Sequence, residues 1–206
     1  MTRSYVIPIV LVAAGTWVAV ALVKGFPNTF WEAISPFVTA IPVAGGFSVV
    51  YQHYLWHSWP LQRLLAKTPD LRGSWRTTIW PAWRDPGTDR DAGPVQGYAQ
   101  IDQTASTLCM GLFTRDSRSE TFAFSIDEIE KEFRLTVVYE NRPSMDERPR
   151  LGTSHQGSAI YRFRGYRPDR IEGEYWTELQ NLGKIELKNR RRQEISSFEA
   201  GKHVFG

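Results

Sequence analysis

The stretch YVIPIVLVAAGTWVAVALV, residues 5–23, contains no charged side chain. Neither does AISPFVTAIPVAGGFSVVY, residues 33–51, and the two are joined by the turn-like KGFPNT, residues 24–29. Lipid gives backbone amides no hydrogen-bond partner, so a spanning segment must be a self-satisfied helix of about 20 residues. Both runs reach that length, which predicts spans at about 5–23 and 33–53 within a membrane hairpin of residues 1–60. A cleaved secretory signal is the alternative for the first run. It is disfavoured because the apolar stretch is long, no small-residue cleavage site precedes Lys24, and a second span follows directly.

Basic residues near the span ends set the expected orientation. Arg3 precedes the first run, Lys24 alone lies in the turn, and Arg63, Lys67 and Arg72 follow the second run. That asymmetry puts both termini and the remainder of the chain in the cytoplasm, with two membrane passes. Trp17, Trp31, Tyr51, Tyr54, Trp56 and Trp59 suit the membrane interface. The second run also carries Pro36, Pro42, Gly45 and Gly46. A bend near Pro42 is expected, since proline removes a helix hydrogen bond. Small residues let helices approach closely, so Pro42, Gly45 and Gly46 are candidates for a homo-oligomer surface; a kinked anchor is the plainer alternative.

Residues 58–67, SWPLQRLLAK, read as an amphipathic piece on the cytoplasmic surface, within a linker over 61–68. From Leu71 the period changes from helical to two. Short alternating segments bounded by turn residues predict eight strands: Arg72–Ile79, Val95–Thr104, Ser106–Thr114, Glu120–Asp127, Phe133–Asn141, Ser154–Arg164, Arg170–Thr177 and Gly183–Asn189. Trp83–Pro94 reads as a polar loop. Eight strands with no long helix between them imply an all-β domain over 69–206, an antiparallel up-and-down β-barrel with room for one small ligand.

Strand parity then selects inward positions. Phe133, Leu135, Val137, Tyr139 and Asn141 share one face; Ile171, Gly173, Tyr175 and Thr177 share another; Glu172 and Glu174 face water; Trp75 takes the inward position of the first strand. Two inward sets begin apolar and end polar, the pattern of a pocket with an apolar floor and hydrogen-bonding groups at its mouth. Ser117, Ser119 and Arg115 or Arg118 add hydroxyls and positive charge to the same region. The alternative is that the tyrosines only cap the core with a wet hydroxyl.

Bulk properties exclude more than they assign. With 25 basic and 22 acidic side chains the formal charge is +3, which calls for no DNA or RNA polymer as partner. The mean hydropathy of -0.36 averages an apolar segment with a very hydrophilic one. One cysteine, Cys109, excludes an intramolecular disulfide and fits a reducing compartment. There is no Gly-rich phosphate loop, no nucleophile elbow and no Cys/His metal spacing, so no enzyme, metal or cofactor is expected. His53 and His57 stand four apart, but two ligands make an incomplete site, so they read as interfacial polar residues.

Several short motifs carry a resemblance. They are Thr68-Pro-Asp-Leu-Arg-Gly-Ser-Trp75, Ile101-Asp-Gln103-Thr, Ser117-Arg-Ser119, Tyr139-Glu-Asn141-Arg-Pro143, His155-Gln-Gly157-Ser-Ala159, Gly173-Glu-Tyr175-Trp-Thr177 and Gly183-Lys-Ile-Glu-Leu-Lys. In this order, behind two apolar spans, the chain resembles the membrane effectors of cyclic-oligonucleotide-based antiphage systems (CBASS) that join two transmembrane helices to a minimal β-barrel. It departs from them in the insert at Trp83–Pro94 and in Trp176. The resemblance implies a barrel that binds a cyclic dinucleotide made by a partner nucleotidyltransferase. Binding would drive assembly in membrane lipid, disrupt the inner membrane and kill the infected cell, an abortive infection. For such a ligand Trp75, Tyr139 and Tyr175 could stack on or wall bases. Asn141 and Thr177 could read base edges or ribose hydroxyls, and Arg115 or Arg118 could pair with a phosphate. Two rivals remain: a membrane-tethered, lipocalin-like carrier of an apolar ligand, and a structural membrane protein whose barrel docks a protein.

Overall fold

The computed structural model describes residues 2–25, 27–58, 68–82, 84–85, 90–91, 93–148 and 152–206, with the side chains of 2–5, 84–85 and 90–91 left aside. The chain divides into two compact units: Met1–Thr68 with Thr104–Ser106, and Pro69–Gln103 with Thr107–Gly206.

The first unit is helical. Helix α1, Thr2–Lys24, is followed by a single turn, α2, Phe30–Ile34, by α3, Phe37–Val50, and by a π-helical turn, Tyr51–Leu55. Thr29 caps α2 by accepting the Glu32 N–H. Two stretches are long and apolar enough to cross a membrane, Val6–Lys24 with mean hydropathy 2.5 and Phe30–Leu55 with 1.7, and little of either is buried within the protein. The break in the second comes at Ser35–Pro36 rather than at Pro42. Pro36 stands at the start of α3, where a missing N–H costs nothing, while α3 runs on through Pro42. The hairpin packs through small side chains: Ala21 on α1 and Ala40 and Ala44 on α3 are buried. The Trp17 indole N–H donates to the Ala33 carbonyl at 3.1 Å. Tyr51, Trp56 and Ala105 form a small buried cluster in this unit, flanked by Phe47 and Leu55. The amphipathic segment expected at 58–67 lies, from Trp59 onward, outside the described residues.

The second unit is a closed eight-stranded antiparallel barrel. Its strands are β1 Gly73–Pro81, β4 Val95–Gln103, β5 Leu108–Thr114, β6 Ser117–Ile129, β7 Glu132–Pro143, β8 His155–Phe163, β9 Arg170–Thr177 and β10 Leu182–Arg191. Strands β4 to β10 meander in sequence, and β1 closes the ring between β10 and β4. All eight predicted strands are present, with ends shifted by up to three residues. The expected polar loop instead carries a two-residue ladder, β2 Arg84–Asp85 with β3 Arg90–Asp91, too short to leave a periodic signal. In β6 a register shift between Thr121 and Ala123 leaves Phe122 exposed and exchanges the inward parity of the strand.

Where β1 and β10 begin and end their run, the barrel interior is packed solid. Trp75, Leu71, Ile101, Leu135, Ile171 and Leu187 are at most 1 % exposed. Phe133 stacks on Phe163 at 5.7 Å and meets Tyr166 edge-on at 5.3 Å. Each such aliphatic side chain contributes about 1.5–3 kcal/mol on burial. The segment leading into β1 seals this end. Its backbone is satisfied by Gln103, which accepts from the Leu71 N–H at 2.9 Å and donates to the Pro69 carbonyl at 2.8 Å. The Trp75 indole N–H donates to the Leu71 carbonyl at 3.0 Å.

Asp70 is 4 % exposed and gathers three guanidinium groups. Arg72 Nε lies 3.0 Å from it, Arg190 Nη2 3.0 Å and Arg167 Nε 3.9 Å. Arg190 also donates to the backbone carbonyls of Asp70 and Arg72, tying the end of β10 to the entry of β1. Burial by itself raises the Asp70 carboxyl, but the hydrogen bond from Arg72 and the charges of Arg190 and Arg72 outweigh it and hold it below the usual carboxylate range.

A C-terminal helix absent from the sequence reading, α4 Phe198–Phe205, is capped by Ser197 and covers Tyr98 on the outer wall. Phe198 and Phe205 each approach the Tyr98 ring to 5.4 Å. At Gly201 a Cβ would stand 2.3 Å from that ring, so only glycine lets the helix this close.

Asp70→Asn is expected to destabilise the barrel by about 2–4 kcal/mol, because it leaves Arg72 and Arg190 without their counter-charge. The lowered carboxyl makes this contribution present above the ordinary carboxylate value and lost as pH falls through the lowered one. Urea unfolding of the detergent-solubilised chain, followed by tryptophan fluorescence, should therefore show wild type and variant converging below about pH 4. Equal stabilities at pH 7 would contradict the clamp.

Candidate functional site

The opposite end of the barrel is hollow. A cavity of about 260 Å³ opens where β6 and β8 begin and where β7 and β9 end. Its floor is apolar: Ile79, Met110, Leu112, Val137, Ala159 and Ile185. Its mouth carries the polar groups, Thr114, Ser117 and Ser119 from β5 and β6, Tyr139 and Asn141 from β7, His155 from β8, and Tyr175 and Thr177 from β9, with Pro81, Val95 and Leu179 as apolar neighbours. The antiparallel register puts these groups side by side. Ser119 stands opposite Asn141, Asn141 opposite His155, and Tyr139 and Thr177 both flank Gly157.

Three tyrosines enter the interior beside three glycines. Tyr139 pairs in register with Gly157, Tyr161 with Gly173, and Tyr175 with Gly183. A Cβ at Gly157 would stand 2.5 Å from the Tyr139 ring and hydroxyl. One at Gly173 would stand 2.7 Å from Tyr161, and one at Gly183 2.8 Å from Tyr175. Each ring occupies the space a side chain on the next strand would have taken. The sequence thus builds wall and void together: an aromatic on one strand, bare backbone on its neighbour.

The mouth is pre-ordered by short hydrogen bonds. Ser119 Oγ donates to Asn141 Oδ1 at 2.8 Å, which orients that amide. Thr114 and Ser117 bond across the β5–β6 turn, with the Ser117 N–H reaching Thr114 Oγ1 at 3.0 Å. The Asn181 N–H donates to Thr177 Oγ1 at 3.3 Å and fixes the β9–β10 turn. Burial raises the phenols of Tyr139, Tyr161 and Tyr175 above their ordinary value, and the neighbouring phenol adds to the effect for Tyr139 and Tyr161. They therefore stay neutral and keep a proton to donate. Among the described lining residues there is no lysine or arginine, and Asp116 is the single carboxylate. His155 Nδ1 is buried without a hydrogen-bond partner, a state that costs about 1–3 kcal/mol.

Of the residues singled out from the sequence, the structure brings Ser117, Ser119, Tyr139, Asn141, Tyr175 and Thr177 to one cavity. It takes Trp75 and Arg115 elsewhere. Trp75 is inward, as parity requires, but it lies in the solid half, fully buried with its indole N–H bonded to Leu71, so it walls no cavity. Arg115 is exposed on the β5–β6 turn and is not a lining residue. Arg118 is exposed as well, paired with Glu120 and lying 5.2 Å from the Phe113 ring. Tyr161 and His155 were not among the sequence candidates. The alternation His155, Gly157, Ala159, Tyr161 along β8 carries the signal for both. Among the described residues no cluster of three metal-ligating side chains occurs.

Residues 66–189 match the family model described as Cap15, cyclic dinucleotide receptor domain. The chain belongs to this family. No curated protein matches it. The hollow barrel is therefore a cyclic dinucleotide receptor domain of the CBASS effector class, and a Cap15 barrel acts by binding its ligand. The cavity suits that role. It offers aromatic walls for flat bases and neutral donors and acceptors for base edges and ribose hydroxyls.

Gly157→Ala should displace the Tyr139 ring and weaken cyclic dinucleotide binding at least tenfold, with a stability loss of about 1–3 kcal/mol from overpacking. Titration calorimetry with the detergent-solubilised chain measures the first quantity and urea unfolding the second. Unchanged affinity would show that the position of Tyr139 does not matter to the ligand.

Proposed function

We propose that this chain is the membrane-disrupting effector of an antiphage system. A cyclic dinucleotide from a partner nucleotidyltransferase fills the hollow end of the barrel. Tyr139 and Tyr175 wall its bases, while Ser117, Ser119, Asn141 and Thr177 hydrogen-bond base edges and ribose. The two apolar helices cross the bacterial inner membrane, with both termini and the barrel on the cytoplasmic side. Filling the barrel drives homo-oligomerisation through α3, and the assembled helices break the bilayer. Switching requires the ligand to bind the assembled state more tightly than the single chain.

One observation carries the assembly step. On α3, Ala40 and Ala44 are buried in the hairpin, whereas Pro42, Gly45 and Gly46 are exposed, and a Cβ at either glycine meets nothing within 4 Å. The small residues at 40 and 44 serve the hairpin; those at 42, 45 and 46 are left for other chains. The hydrogen-bonding groups at the mouth weigh against a carrier of purely apolar ligands, which has no use for Asn141, Thr177 and several hydroxyls.

Two measurements test the reading. Cells producing the chain together with its ligand should admit a membrane-impermeant dye, and cells producing either alone should exclude it. Intact membranes in all three cases would remove the effector role. Gly46→Leu should retain binding by the single chain, lose the part of the apparent affinity that assembly supplies, and abolish both dye entry and the high-mass species seen by light scattering. Dye entry at the wild-type rate would place the assembly surface elsewhere.

A further inference from the structure

We propose that Ser119 and Asn141 together make the receptor selective for ligands with keto bases, uracil or guanine, over those with amino bases, cytosine or adenine. This rests on the reading of the cavity as the cyclic dinucleotide site. The common bases differ most where an exocyclic group protrudes from the ring. Uracil and guanine carry an acceptor oxygen there, cytosine and adenine a donor nitrogen. A site sorts the two kinds only with a polar atom that cannot change role. Hydroxyls such as those of Ser117, Thr177 and Tyr175 do change role, because the proton rotates to suit the partner. An amide has a fixed donor end and a fixed acceptor end, and it sorts bases once something keeps it from turning over.

Ser119 supplies that restraint. The two residues stand opposite each other on β6 and β7, and Ser119 Oγ donates to Asn141 Oδ1 at 2.8 Å. With the acceptor end of the amide engaged, the donor end is left for a guest. Asn141 lines the cavity, and its Nδ2 is neither hydrogen-bonded to a described residue nor enclosed by them. Turning the amide over would bring Nδ2 to Ser119 and remove the acceptor of the serine proton. Ser119 is 9 % exposed, and its hydroxyl makes no second bond among the described residues, so that proton would be buried without a partner. The other lining amide, Asn181, has no such tether: its side chain makes no hydrogen bond among the described residues.

Tyr139 reinforces the choice. It lies two residues before Asn141 on the inner face of β7, and burial keeps its phenol protonated. A base carbonyl that meets Nδ2 has a second lone pair with which to accept from a phenol. An exocyclic amine brought to the same place meets a donor, and both nitrogens are left unpaired. Asp116, the carboxylate of the lining, accepts only and favours an amine, so a keto preference does not originate there.

The test is titration calorimetry of the full chain in nanodiscs with cyclic di-UMP, cyclic di-CMP, cyclic di-GMP and cyclic di-AMP. Comparing uracil with cytosine, and guanine with adenine, holds ring size constant. Wild type should bind the keto member of each pair about tenfold more tightly than the amino member. Ser119→Ala releases the Asn141 amide, so the ratio should fall to about twofold or less while both members still bind. Ser119→Thr returns the hydroxyl and should return the ratio. A purely structural role for Ser119 would move both members of a pair alike and leave the ratio where it was. Asp116→Asn should keep the keto preference. An amino ligand that equals or exceeds its keto partner in wild type, or a ratio unchanged in Ser119→Ala, overturns the proposal while leaving the receptor intact. The wild-type ratios decide the matter if a variant fails to fold. Absence of wild-type binding to all four ligands defeats the receptor reading itself, and the proposal with it.

Discussion

A tyrosine ring can enter this barrel only where the neighbouring strand has no side chain to contest the space. The pairs Tyr139–Gly157, Tyr161–Gly173 and Tyr175–Gly183 step across four consecutive strands, β7 to β10, and nearly every property of the hollow end follows from them. An eight-stranded barrel has an interior that side chains just fill. Here one end obeys that rule with Trp75, Leu135, Phe133 and Ile171. At the other end, glycine and small residues opposite the tyrosines leave room for a guest and supply an aromatic wall in the same stroke. Small and large are not averaged along the barrel; they are sorted to opposite ends.

Charge is sorted too. The polar lining of the cavity is hydroxyls, two amides, one imidazole, the single carboxylate of Asp116, and phenols whose protons burial holds in place. The strong ion pairs lie outside it. Asp70 with its three arginines seals the packed end, and Arg170, Glu172, Glu186 and Lys188 form a ladder on the outer wall. A full salt bridge inside the mouth would compete with a ligand for its own partners. Neutral groups such as Thr114, Ser119 and Thr177, each held by a single hydrogen-bonded neighbour, do not.

Most of the fold was legible because both of its periods are strong. Two uncharged runs of helical length separate cleanly from eight alternating segments. Parity along β7 and β9 then placed Tyr139, Asn141, Tyr175 and Thr177 on the inner face. Parity has no information on depth, however. Trp75 is inward, but it belongs to the packed half, a distinction set by the pairing of β1 with β4 and β10 rather than by any local pattern. Arg115 lies on a turn, where a residue has no parity to read, and the structure leaves it exposed beside the cavity lining rather than in it. Tyr161 was readable from β8 once Gly157 was recognised as inward. The helix α4 carried its own signals, Ser197 as cap and Phe198, Gly201 and Phe205 on one face, but eight residues at the chain end gave too short a period to weigh. The motif Leu71-Arg72-Gly73-Ser74-Trp75, quoted for its resemblance, turns out to build the sealed end: Leu71 and Trp75 fill it, Arg72 holds Asp70, and Gly73 has φ +115°, which favours glycine.

The helical unit obeys a different economy. In lipid, association depends on close packing of small residues, and α3 carries two sets of them, one buried within the hairpin and one exposed. On the proposed function the barrel is the sensor and the helices are the actuator, so the central claim is where the ligand sits. A crystal or cryo-electron-microscopy structure of the full chain with a bound cyclic dinucleotide measures it most directly. The account predicts ligand density inside the hollow end, with a base against Tyr139 or Tyr175. Density on the outer wall of the barrel, with the cavity filled by water or rotated side chains, would contradict it.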